Sequence, residues 1–180
     1  THSSGTVTFN GTGTQTLSGT LNGSSSFNAV AVSGTGRVTN STAMQADGAY
    51  SIDNGATFQQ GAYVKVVLTG ATVSIASGGT FTKASGSGVF ILDGTTMTYT
   101  DSNATKQNLG TLQIGQSPST VTLSSDTSVE NLNIHTTDTL NTKGYDVTVT
   151  HHVDCQGTCT LALTASGGST EGDGTIMEVG

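Results

Sequence analysis

Short apolar doublets recur along the chain, each with one residue between its two apolar members and small or turn-forming residues close behind. There are seven of these doublets: Val7/Phe9, Val30/Val32, Tyr50/Ile52, Val73/Ile75, Phe90/Leu92, Leu112/Ile114 and Leu132/Ile134. Their second members are separated by 23, 20, 23, 17, 22 and 20 residues, a mean of about 21. Alternation with a period of two predicts strands with one buried face. A repeat near 20 residues predicts the rungs of a parallel β-solenoid.

Longer matches support the same interpretation. Residues 51–58 (SIDNGATF) align with residues 74–81 (SIASGGTF), 23 positions later, and residues 133–140 form a looser third copy. Glycine and Asn-Gly supply the positive φ that corners between rungs need. We therefore expect the second members of the seven doublets to be buried and stacked in one column. Doublets on two unrelated sheets would instead indicate a β-sandwich or jelly roll that exchanges strands between subunits.

The composition favours strands and turns over helices. The chain of 180 residues contains 35 Thr, 21 Ser and 25 Gly, while Pro occurs once and charged residues make up 9%. Thr is β-branched, Gly has no side chain, and Ser competes with helical hydrogen bonds, so all three disfavour helices. A net charge of −7 is too small to hold the chain unfolded by repulsion. We expect one all-β domain, with a solenoid repeat region at 1–150 and a disulfide-containing C-terminal β segment at 151–180.

The charged residues exclude several partners. The five cations are scattered along the chain and form no basic cluster: Arg37, Lys65, Lys83, Lys106 and Lys143. Nucleic acid and anionic membrane surfaces are therefore not expected partners. No apolar stretch approaches the roughly 20 residues that cross a bilayer, so membrane insertion is not expected either. The chain opens at Thr1 without an initiator Met, which predicts a processed, secreted product at the cell surface or outside the cell.

Several segments resemble a known class of repeat. Residues 5–19 (GTVTFNGTGTQTLSG), 120–126 (TVTLSSD) and 139–149 (TLNTKGYDVTV) are similar to the Ser/Thr/Gly-rich repeats of large secreted bacterial and archaeal surface proteins. The resemblance covers most of residues 5–150 and implies an adhesin-type or filament-type β-solenoid without catalysis in the repeat region. The sequence from His151 onward departs from it.

The segment that begins at His151 contains the densest group of potential metal ligands in the chain. His151, His152, Asp154, Cys155 and Cys159 include residue types that zinc prefers. Neighbouring strand residues point to opposite faces, so His151 and His152 would not reach one metal ion. The short loop between Cys155 and Cys159 suits a disulfide, and oxidation is the usual state of an exported cysteine pair. We expect this disulfide and no cofactor; free thiols, an intermolecular bond and a metal site are the alternatives.

Catalysis on a β-solenoid would need carboxylates aligned across rungs, so that an acid and a base face one sugar. The acidic candidates are isolated in sequence: Asp47, Asp53, Asp93, Asp101, Asp126, Glu130 and Asp138. Rung stacking could bring Asp53 and Asp93 to a common edge. Aspartates at corners are usually turn formers, and no nucleophile motif or phosphate-binding loop is present. We therefore predict that the chain is not an enzyme.

Threonine pairs raise the alternative of an ice-binding face. Five pairs with one intervening residue are candidates for such a face: Thr6/Thr8, Thr80/Thr82, Thr96/Thr98, Thr120/Thr122 and Thr148/Thr150. Their irregular spacing predicts an array that is broken across several coils.

Four Asn-x-Ser/Thr sequons provide candidate N-glycosylation sites, at a number close to chance: Asn10, Asn22, Asn40 and Asn103.

The functional expectation is a structural subunit of an extracellular filament, pilus-like fibre, sheath or surface layer. Neither end of the sequence has the polar or helical cap that keeps a solenoid monomeric. We therefore expect copies of the chain to associate through their termini, with assembly contacts at Val7, Phe9, Ile176 and Val179. An adhesin or carbohydrate-binding fragment is the first alternative, with a surface carbohydrate as partner. An ice-binding protein is the second.

Overall fold

The computed structural model describes residues 4–86, 88–116, 118–163 and, for the backbone, 176–178. Apart from one 3-10 turn at Gly23–Ser25, the regular elements of these ranges are strands. The first ten are β1 (Thr6–Phe9), β2 (Gln15–Leu17), β3 (Ala29–Val32), β4 (Arg37–Asn40), β5 (Met44–Ala46), β6 (Tyr50–Ile52), β7 (Thr57–Gln60), β8 (Lys65–Leu68), β9 (Thr72–Ile75) and β10 (Thr80–Lys83). The others are β11 (Val89–Leu92), β12 (Thr96–Asp101), β13 (Thr111–Ile114), β14 (Thr120–Leu123), β15 (Thr127–Ile134), β16 (Thr139–Asn141), β17 (Val147–Cys155), β18 (Thr160–Ala162) and β19 (Ile176–Glu178). In the described ranges no helix is long and apolar enough to span a bilayer.

The strands form three parallel sheets that wind into a β-solenoid. Sheet A has the order β1-β3-β6-β9-β12-β14-β16-β18, sheet B the order β10-β7-β4-β2, and sheet C the order β19-β17-β15-β13-β11-β8-β5. Each strand pairs with the strand one coil earlier or later, and the solenoid has about seven coils with rungs of about 22 residues. The predicted parallel solenoid is confirmed, and the rung length is close to the predicted 21.

Alternating burial explains why these strands close around a common core. In β13 and β14, for example, every second residue is buried and the residues between are partly exposed. Val7, Val30, Tyr50 and Val73 are successive in-register partners, so their side chains stack along the interior. The predicted alignment of residues 51–58 with 74–81 is also confirmed, because Ile52 pairs with Ile75 and Phe58 pairs with Phe81.

The single column expected for the seven doublets is wrong. Phe9, Val32, Ile52 and Ile75 lie on sheet A, whereas the remaining second members, Leu92, Ile114 and Ile134, lie on sheet C. Ile75 and Leu92 belong to the same coil, so the 17-residue interval between them is not a rung. All three sides of a coil carry the same alternation, and the local pattern therefore does not identify the side. Six of the seven residues are buried, and Phe9 is half-buried.

The looser third copy, 133–140, is also wrong as an alignment. Asn133 and Ile134 lie on β15 of sheet C, and Leu140 lies on β16 of sheet A. In the first two copies the chain passes from sheet A to sheet B. The motif therefore describes a type of corner rather than one position in the coil.

Sheet B ends after β10, and a loop at residues 102–110 takes the place of its next strand. The fully buried Asp101 organises this loop. Its carboxylate accepts hydrogen bonds from Asn103 N (3.0 Å), Asn103 Nδ2 (2.8 Å) and Gln107 N (2.6 Å). Lys106 Nζ donates to the Asp101 carbonyl at 2.9 Å.

The predicted boundary between residues 150 and 151 falls inside β17. This strand pairs with β15 on both sides of a register shift, from Val147 to Cys155. The described part of the C-terminal segment therefore continues the coils, as the pairing of β18 with β16 also shows.

Candidate functional site

The outward face of sheet A carries in-register columns of hydroxyl side chains. From β9 to β18 every outward position but Asn141 and Ala162 is Thr or Ser. The columns are Thr96–Thr120–Thr139–Thr160, Thr72–Thr98–Thr122–Asn141 and Ser51–Ser74–Thr100. These side chains are all exposed or partly exposed. We call this surface the threonine face.

The threonine face has no charge. Asp101 is the one charged residue in the eight strands of sheet A, and its side chain is buried. The aromatic residues of these strands also belong to the inward set: Tyr50 and Tyr99 are buried, and Phe9 packs against the core. The outer surface of the sheet is therefore made of hydroxyl, methyl and amide groups alone.

The five predicted Thr pairs do not form one array. Thr6/Thr8, Thr96/Thr98 and Thr120/Thr122 lie on sheet A, Thr80/Thr82 on sheet B and Thr148/Thr150 on sheet C. The expected break is real between Thr8 and Ser51, where Ala31 occupies the column. From β9 onward, however, the array is continuous, because residues outside these five pairs, such as Thr72, Thr139 and Thr160, fill the register.

A polar groove lies beside sheet C where sheet B ends. It has a volume of about 430 Å³, and its polar walls include Lys83, Thr111, Glu130 and Asn131. Lys83 and Glu130 form an ion pair, each with about a third of its side chain exposed. Asn131 Nδ2 donates to Thr111 Oγ1 at 3.0 Å.

Tyr63 flanks this groove. Its side chain is 77% exposed, and its ring lies so close to Gly86 that a β-carbon there would approach it to 3.0 Å. Gly86 itself lines the groove. An exposed aromatic ring beside hydrogen-bonding groups is a combination that suits a sugar, since the ring packs on the apolar face and the polar groups bind hydroxyls.

The predicted meeting of Asp53 and Asp93 is wrong. Asp53 follows β6 on sheet A, whereas Asp93 follows β11 on sheet C, so the two lie at different corners. Asp93 instead lies near Asp138, at the corner where the chain passes from sheet C to sheet A. Sequence reasoning missed this pair because it depends on the register between β11, β13 and β15.

Asp138 is buried beneath this corner, at 1% exposure. Its Oδ1 accepts a hydrogen bond from Ser119 N at 2.6 Å, and no described residue pairs with Oδ2. Burial raises the pKa of Asp138, and the charge of Asp93 adds to the rise, while the Ser119 N–H and His135 oppose it. The carboxyl group is thus held inside the corner rather than presented in a cleft to a substrate.

The structure is compatible with the predicted disulfide. Cys155 and Cys159 have Cα atoms 5.7 Å apart, within the usual disulfide range, and their sulfurs lie within bonding distance. His151 and His152 are both exposed on β17. Within the described ranges, no group of three His, Cys, Asp or Glu side chains is arranged to hold a metal ion.

The four sequons fall into two groups. Asn10 and Asn22 are exposed. Asn40 is fully buried, and its amide donates to Thr42 O and accepts from Gly61 N, both at 3.1 Å. The folded chain therefore does not present Asn40 as an acceptor.

Asn103 is also engaged. Its amide nitrogen donates to Gly79 O and to the Asp101 carboxylate, and its oxygen accepts from Gly78 N. Glycosylation there would break the loop that Asp101 organises.

Three of the four predicted assembly contacts, Val7, Phe9 and Ile176, lie on strands at the ends of their sheets. Val7 and Phe9 are on β1, which pairs with β3 and has no second partner among the described strands. Phe9 makes an edge-to-face contact with Phe27, at 6.2 Å between ring centroids. Ile176 is on β19, which pairs with β17, and Val179 lies outside the described residues.

Comparison of the chain with protein-family profiles, curated proteins and solved structures found no match. The functional conclusion therefore depends on the geometry of these surfaces.

Proposed function

We propose that the chain is a structural segment of an extracellular assembly and that copies associate head to tail by stacking rungs. The position of Val7 supports this proposal most directly. Val7 occupies an inward column whose next members, Val30, Tyr50 and Val73, are at most 2% exposed. Val7 itself is 40% exposed. A rung of another copy placed against β1 would complete this column.

The backbone of β1 supports the same contact. An edge strand presents unpaired N–H and C=O groups, which another parallel strand would satisfy. A head-to-tail contact joins different surfaces, so it propagates as a fibre unless the rotation closes a ring. The proposal assigns the chain no catalytic role, and a secreted location fits the cysteine pair.

Two charge substitutions on β1 test this proposal. Val7→Asp places a carboxylate on the inward side of the open rung, whereas Thr8→Asp places it on the outward side of the same strand. We expect the intact chain and Thr8→Asp to form filaments or higher oligomers in electron micrographs and sedimentation. Val7→Asp should remain a folded monomer with an unchanged circular dichroism spectrum. An intact chain that stays monomeric at all concentrations would contradict the proposal.

Carbohydrate binding is the second candidate function, and the groove between Tyr63 and the Lys83–Glu130 pair favours it. Titration calorimetry with soluble surface polysaccharides would test it. The expected result is binding that Tyr63→Ala abolishes and that Tyr145→Ala, at another exposed tyrosine, leaves intact.

A further inference from the structure

We propose that the threonine face of sheet A is an ice-binding surface, a function independent of assembly through the ends. The first observation is the two-dimensional regularity of the face. Neighbouring strands in a sheet lie about 4.8 Å apart, and alternate residues along one strand are roughly 6.6–6.8 Å apart. The in-register columns from Thr96 to Thr160 and from Thr72 to Thr122 therefore repeat hydroxyl and methyl groups on a lattice.

The second observation is the complete absence of charged and aromatic side chains from the outward positions of sheet A. Charged side chains hold their own hydration shells, which do not fit a crystal lattice of water. Sheet C shows that this absence is not a property of the whole surface, since its outward positions include Lys65, His152 and Asp154.

The chemistry of the face favours ice over the other candidate partners. Threonine offers a hydroxyl that joins a water network and a methyl that occupies the space between waters. A crystalline polysaccharide would be expected to meet an aromatic platform, and the exposed Tyr63 lies beside the groove, between β7 of sheet B and β8 of sheet C, rather than on this face. A second copy of the chain would bring a face of hydroxyls against hydroxyls, with little apolar area to bury.

Two paired substitutions test the proposal on the 180-residue chain. Thr120→Lys with Thr122→Lys places two ammonium groups in the centre of the threonine face, on β14. Thr80→Lys with Thr82→Lys makes the same change, at the same spacing, on β10 of sheet B. The readouts are thermal hysteresis and the partition of the protein into a slowly growing ice crystal.

We expect the intact chain and the β10 variant to enter the ice and to produce equal thermal hysteresis. The β14 lysine variant should be excluded from the ice, with thermal hysteresis lost. A milder pair, Thr120→Val with Thr122→Val, keeps the methyl groups and the strand propensity and should reduce the activity while leaving the melting temperature unchanged.

Three results would overturn the proposal. One is an intact chain that the growing ice excludes. Another is an equal loss of activity in the β10 and β14 lysine variants. The third is a different partner for the face: the intact chain does not enter ice, but it binds microcrystalline cellulose or chitin or dimerises in sedimentation, and the β14 lysine variant loses that binding or dimerisation. Failure of filament formation by the intact chain would bear on the assembly proposal alone.

Discussion

Polar side chains are buried at the corners of this solenoid because they replace the hydrogen bonds that the strands leave unmade. Asn40 and Gln60 are in-register partners and are the last residues of β4 and β7. Neither is more than 1% exposed. Asn40 bonds to both Thr42 and Gly61, while Gln60 Nε2 donates to Val64 O at 3.0 Å. These amides satisfy backbone groups where the chain turns, as buried polar groups generally must.

Asp138 differs from these amides because it can ionise, and its burial disfavours the ionised form. Its pKa is raised in the folded chain, so the folded state holds the proton more tightly than the unfolded state. Stability therefore falls as the pH rises from the unfolded value of about 3.9 through the folded pKa. Asp138→Asn removes this ionisation while keeping the acceptor for Ser119 N.

We expect the free energy of unfolding of Asp138→Asn, relative to that of the intact chain, to rise between pH 4 and pH 7, because only the intact chain has a raised pKa at this position. Urea denaturation at both pH values would measure the difference. If the free energy of unfolding of both proteins changed in the same way with pH, burial would not disfavour ionisation of the Asp138 carboxyl group.

At the scale of the elements, an aromatic cluster joins the third and fourth coils. Tyr50 contacts Phe58 and Phe90 at 5.7 and 6.3 Å between ring centroids, and Phe81 contacts Phe58 and Phe90 at 6.1 and 5.3 Å. The rings come from all three sheets. This cluster therefore fixes the three sides of the coil to one another, which the strand hydrogen bonds within each sheet do not do.

The hydroxyl of Tyr50 is buried without a hydrogen-bond partner among the described residues. Leaving such a group unsatisfied costs about 1–3 kcal/mol. We therefore expect Tyr50→Phe to raise the free energy of unfolding or leave it unchanged. Phe58→Ala, in the same cluster, should lower it by about 3–5 kcal/mol. Chemical denaturation measures both changes. If Tyr50→Phe lowered the free energy of unfolding by more than one hydrogen bond usually contributes, the hydroxyl would have a hydrogen-bond partner in the folded chain.

The elements were more predictable from the sequence than their arrangement. Alternation around Val30, Ile52 and Ile75 was enough to predict strands, their buried faces and the repeat. It did not reveal that Leu92 lies on another side of the same coil as Ile75, because each side carries the same pattern. The continuity of the threonine face was missed for a related reason: a search for Thr-x-Thr pairs does not detect Thr72, which joins the array only through register.

The site residues show the same limit. The cysteine pair was predictable because its loop is local. The proximity of Asp93 and Asp138 was not, because the two residues are 45 positions apart in sequence and meet only when two intervening coils take their observed lengths. The accessibility of Asn40 and Asn103 likewise depends on corner hydrogen bonds that no sequon displays.

At the scale of the whole molecule, each coil contacts mainly the coils before and after it. Stability in such a fold is close to a sum of rung terms and nearest-neighbour interfaces. A perturbation at one end should therefore decay within a few coils. The Cys155–Cys159 disulfide, which connects the end of β17 to the segment before β18, allows this to be tested far from the aromatic cluster.

Closing so short a loop should contribute roughly 2 kcal/mol by restricting the unfolded chain. Because the loop lies between β17 and β18, we expect reduction to speed amide hydrogen exchange in residues 147–162. Exchange in residues 50–75, several coils away, should keep the rates of the oxidised protein, since those rungs retain all their neighbours. Hydrogen exchange with mass spectrometry, with and without reductant, makes the comparison within one chain.

A Cys155→Ser/Cys159→Ser variant controls for effects of the reductant. If reduction accelerated exchange equally in every coil, the solenoid would unfold as a single cooperative unit, and the nearest-neighbour description of its stability would be wrong.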